Sequence, residues 1–88
     1  NKLHTQTESQ VVYVLKTWLE PQPRPRGRVY SGEVGVRLRE DPDTTVGIDV
    51  VYAAKELVEI ADRDTETTIL VGVPTVAVEI LSPSTRYE

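Results

Sequence analysis

The spacing of hydrophobic residues changes once along this chain. Before Pro21 it is helical: Val11, Val12, Val14, Leu15, Trp18 and Leu19 form a stripe, and Thr5-Gln6-Thr7-Glu8 ahead of them has the form of a capping box. This predicts an amphipathic helix ending at Pro21. Residues 21–27, Pro-Gln-Pro-Arg-Pro-Arg-Gly, predict an extended Pro/Arg-rich spacer between that helix and a hairpin. From Arg28 onward the period is two. Residues 28–31 and 34–39 flank Gly32-Glu33 and predict a hairpin turning near Gly32, with Val34, Val36 and Leu38 inward and Arg37 and Arg39 outward. A polar turn over 40–45 leads to a strand over 46–52, residues 55–61 read as a short helix, and 62–68 as a loop. A last strand, 75–81, stops at Ser82-Pro83. The predicted class is α+β, one domain over 1–88: an N-terminal helix packed on a mainly antiparallel sheet. Val11, Leu15, Trp18, Val36, Ile48, Val50, Val78 and Ile80 are its expected core.

Each of the last strands carries one acid among apolar neighbours. Glu79 alternates with Val78 and Ile80 and shares a face with Ala77 and Leu81. Asp49 alternates with Ile48 and Val50 and is expected to face the same way as Gly47 and Val51. An unpaired carboxylate in such a place is costly and needs a cation, a metal or a proton. If the two strands are neighbours, the acids converge. Two readings are open: an ion pair with an arginine such as Arg37 or Arg39, or a shared metal. His4 lies ahead of the predicted helix with no second His or Cys, and reads as exposed. Glu8 reads as a capping residue, within reach of a nearby site.

Composition narrows the class. No apolar run is long enough to span a bilayer, and no leader is apparent, so no membrane partner is expected. The absence of cysteine removes disulfides and thiolate chemistry and agrees with a cytoplasmic location. A net charge of −4 argues against nonspecific nucleic-acid binding by the whole surface. Yet Arg24, Arg26, Arg28, Arg37 and Arg39 are half of the 10 basic residues and fall in one region. They are either solvated charges or a phosphate-contacting strip.

The two acidic strands, in this order, resemble the Uma-type restriction endonuclease family, a branch of the PD-(D/E)xK nuclease superfamily. Gly47-Ile48-Asp49-Val50-Val51-Tyr52 stands where that family has a Pro-Asp-Val-Ala-Tyr strand. Val78-Glu79-Ile80-Leu81-Ser82-Pro83-Ser84 matches its Val-Glu-Val-Leu-Ser-Pro-Ser strand, and Gly35-Val36-Arg37-Leu38 with Asp41-Pro42-Asp43 is similar as well. The resemblance implies a restriction-endonuclease-like core and metal-dependent hydrolysis of DNA phosphodiesters. Asp49 and Glu79 would be catalytic, and with the Ile80 carbonyl would hold Mg²⁺ or Mn²⁺. Arg37, Arg39 and Arg86 would contact nucleic acid. The sequence departs from the family pattern in two places. Ile48 replaces the usual proline, and Leu81 fills the Glu-x-Lys position, whose lysine the family carries on a helix after Ser-Pro-Ser. Since the sequence stops at Glu88, before that helix, it reads as a partial domain, expected to be inactive alone. Lys55 and Arg86 are the only basic residues near either strand. A non-catalytic binding or assembly module is the alternative, with unpaired sheet edges inviting a homodimer.

Overall fold

The N-terminal helix begins earlier than its apolar stripe. In the computed structural model, which describes residues 1–40 and 42–81, α1 spans Lys2–Leu19. Asn1 is its N-cap, the side chain accepting the His4 backbone N–H at 2.7 Å. The capping box expected at Thr5 and Glu8 is not formed. The Thr5 hydroxyl donates instead to the carbonyls of Asn1 and Lys2, at 3.2 and 3.1 Å, and Glu8 is left to reach sideways. At the other end Arg26 folds back, its Nη1 donating to the carbonyls of Leu19, Glu20 and Gln22 at 3.3, 2.7 and 3.2 Å. A guanidinium there satisfies orphan carbonyls and opposes the negative end of the helix dipole.

The sheet has the order β3-β1-β2-β4. β1 is Arg28–Glu40, β2 Asp43–Ala53, β3 Leu70–Val71 and β4 Val76–Val78. β1 and β2 are antiparallel, β4 is antiparallel to β2, and β3 is parallel to β1. The hairpin expected to turn at Gly32 is therefore corrected: β1 runs straight through that point, and the turn joins Glu40 to Asp43. Gly32 and Glu33 form a bulge. Their φ values are +89° and +59°, and the register steps from Ser31↔Val50 to Val34↔Ile48, so both oppose Asp49 alone.

The bulge disturbs the alternation of sides in β2. Ile48, Val51 and Ala53 join Val36, Leu70 and the Leu57 and Val58 of α2 (Lys55–Arg63) in one buried cluster. Ile48 and Val51 are an odd number of positions apart, so strict alternation would separate them. Val50 is fully buried yet outside that cluster. Tyr52, between Val51 and Ala53, meets Trp18 of α1 edge-on with ring centroids 5.1 Å apart. The sheet thus lies between α1 and α2. Of the expected core, Val36, Ile48 and Val50 are buried, while Val11, Leu15, Val78 and Ile80 are only half-buried and Trp18 is 49% exposed.

Candidate metal centre

Three side chains meet where α1 crosses the bulge. His4 and Glu8 are one helical turn apart and project to the same side of α1. Asp49 comes up from β2. His4 Nε2 lies 3.4 Å from Asp49 Oδ1 and 3.7 Å from Glu8 Oε1, and the three side chains are 25%, 16% and 18% exposed, in the order His4, Asp49, Glu8. One potential ligand atom from each lies within 4.8 Å of the others.

Each carboxylate is held by its other oxygen. Glu8 Oε2 accepts the Gly32 N–H at 2.9 Å, and Asp49 Oδ2 accepts the Ile80 N–H at 2.9 Å. The bulge turns the Gly32 amide toward α1, which a regular ladder position would have spent on β2. The chain entering from β4 supplies the Ile80 amide. Oε1 and Oδ1 are thereby turned toward the imidazole, an outer-shell arrangement typical of ligating carboxylates.

The expected site residues are distributed differently. Asp49 is in the cluster, facing α1 and not the Val51 side, because the bulge shifts the alternation opposite it. Glu79 lies one position beyond β4 and is exposed, so its expected apolar setting is corrected. β4 pairs with β2 as Val50↔Val78 and Val51↔Ala77, and Glu79 follows the last paired residue. Ile80 reaches Asp49 through its N–H, whereas its carbonyl was the expected ligand.

The arginine reading of Asp49 is replaced by His4 and a backbone amide. Arg39 is exposed and its Nε donates to Thr44 Oγ1 at 3.1 Å. Among the described residues, Arg37 Nε is buried without a hydrogen-bond partner. Arg28 makes a two-pronged pair with Asp62, at 3.0 and 3.2 Å, which raises the arginine pKa and lowers that of the carboxyl. Lys55 lines a separate hollow with Arg24, Arg26 and Arg28. Ser82-Pro83-Ser84 and Arg86 lie outside the described residues.

An α+β core whose mixed, mostly antiparallel sheet gathers acids beside an N-terminal helix has the form of a nuclease-like core. The model of the Uma2 family, described as "putative restriction endonuclease", matches residues 1–88, and the chain belongs to that family. Searches of curated proteins and of solved structures find no match. Among the described residues, no helix is long and apolar enough to cross a membrane.

Proposed function

We propose that this chain provides the metal-holding part of a DNA endonuclease working in the cytoplasm, with Mg²⁺ or Mn²⁺ as its ion. The observation that carries the reading is the paired hold on Glu8 and Asp49, each with one oxygen fixed by a backbone amide and the other turned to a common point. That donor set fits a hard divalent cation, with water completing the shell. A bound ion would polarise a phosphate and acidify a water. Asp49 and Glu8 fix the position of that charge. Glu79, exposed one position beyond β4, stands outside the group formed by His4, Glu8 and Asp49 and would act through a water on the substrate side. Arg37 and Arg39 pair in β1 opposite Thr45 and Thr44, on the arm leading away from Asp49, about 13 Å or more along the strand. From there they take neighbouring phosphates and position the duplex without reading it.

Leu81 fills the Glu-x-Lys position of the family pattern, so the charge developing on phosphate lacks the lysine expected at that position. Loss of one such group commonly costs about 10²–10³ in rate. We therefore expect the 88-residue chain not to nick plasmid in Mg²⁺, and a version extended through a lysine-bearing helix to do so. Asp49→Ala in the extended version should abolish nicking, with Glu79→Ala close behind. Metal-dependent DNA binding by the extended chain without cleavage would favour the non-catalytic module; cleavage indifferent to Asp49→Ala would refute this site.

A further inference from the structure

We infer that His4 is a third ligand in this centre and makes it favour a transition-metal ion such as Mn²⁺ over Mg²⁺, an inference that rests on the metal reading of Asp49 and Glu8 above. The distances carry it. Ligands about 2.1 Å from one ion sit about 3.0 Å apart at a right angle and about 3.4 Å apart at a tetrahedral one. His4 Nε2 is 3.4 Å from Asp49 Oδ1 and 3.7 Å from Glu8 Oε1, spacings that suit an ion between them with little movement. A charge-assisted hydrogen bond draws its atoms closer, to about 2.8 Å. The backbone holds on Oε2 and Oδ2 keep both carboxylates from swinging away from this point.

Placement supports the same conclusion. His4 belongs to the first turn of α1, and its own backbone N–H is fixed by the Asn1 side chain at 2.7 Å. The imidazole is therefore offered by an ordered turn and is 25% exposed. Imidazole nitrogen is a good ligand for first-row transition ions, whereas Mg²⁺ favours oxygen and keeps its waters. One nitrogen beside two carboxylates thus shifts preference without closing the site to Mg²⁺. The rival role for a histidine between two acids is to neutralise them as a cation; it predicts the opposite response to removing the ring.

Calorimetric titration with Mn²⁺ and with Mg²⁺ separates these roles, using the unmodified chain, His4→Ala and Asp49→Ala, each checked for folding by circular dichroism. His4→Ala should weaken Mn²⁺ binding by about tenfold or more, as loss of a ligand or its support commonly does, while Mg²⁺ binding changes much less. Pulsed electron paramagnetic resonance should detect nitrogen coupling to bound Mn²⁺ in the unmodified chain and none in His4→Ala. Equal losses for both ions, unchanged or tighter Mn²⁺ binding in His4→Ala, or no nitrogen coupling would overturn the role of His4. If Asp49→Ala instead binds Mn²⁺ as the unmodified chain does, the metal centre itself is misplaced.

Discussion

Glu8 could serve a helix end or a site, and its role is decided by where α1 begins. Read as starting at Thr5, the helix takes Glu8 for its cap and leaves His4 outside; capped at Asn1, it places both on one face above Asp49. Asn is a good N-cap, so the competing start was legible, but the stronger pattern at Thr5 to Glu8 concealed it. Asp49 was legible because an acid in an apolar strand needs a partner; which partner was not, since that depends on an element far away in sequence.

Gly32 is where a single substitution should reach the site. Its φ of +89° costs a side chain about 1–2 kcal/mol, and its amide holds Glu8. Gly32→Ala is expected to lower stability by that amount in urea titrations and to weaken Mn²⁺ binding as well. Asp62 offers a contrasting, purely electrostatic case. The hydrogen bond from Arg28 holds its carboxyl below the ordinary range, so the pair contributes above the unfolded pKa of about 3.9 and ceases to as pH falls through the lower folded value. Both side chains are about half exposed, so the effect is small. Arg28→Gln should melt slightly below the unmodified chain at neutral pH, the gap closing in acid.

At the scale of elements, α1, the Asp49 strand and α2 announced themselves by period, while β3 did not. β3 is two residues long and parallel to β1, too short for any periodicity, and its place is set by Leu70 joining the buried cluster opposite Val36. In the sequence Gly32-Glu33 reads as a turn, because glycine in a strand pattern serves either a turn or a bulge. α2 is held to the sheet mainly by Leu57 and Val58, 8% and 6% exposed. Leu57→Ala should cost about 2–5 kcal/mol, a severe loss for a small core. Its start can also be improved. Ala54 has the extended backbone of an N-cap and no side-chain bond to offer, so Ala54→Ser should add about 0.5–2 kcal/mol, read as a higher denaturation midpoint.

The molecule as a whole is flat, 46 × 38 × 19 Å. Its radius of gyration of 14.5 Å exceeds the roughly 12 Å expected of a compact chain this long. With little apolar interior, binding becomes a large part of stability. An ion that binds only the folded chain contributes about 2.7 kcal/mol at a hundred times its Kd, worth about 10 °C or more in a domain of this size. Mn²⁺ should therefore raise the melting temperature of the unmodified chain by about that much, and leave Asp49→Ala unmoved; scanning calorimetry with and without the ion decides it.

A β-strand can be read as a code of period two, and the bulge at Gly32-Glu33 is a frameshift in it. On the Ala53 side of the shift, odd positions of β2 face α2; on the other, Ile48 does. Asp49 stands at the junction, and there the shift delivers it to α1. Deleting Glu33 would restore the original frame. Counting back from Val51, Asp49 would then fall on the α2 side among Val51, Ala53 and Leu57, and Ile48 would be turned out toward Glu8. A one-residue deletion in an exposed stretch would thus bury the acid and expose the core, so the length of β1 should resist change there even where its side chains do not.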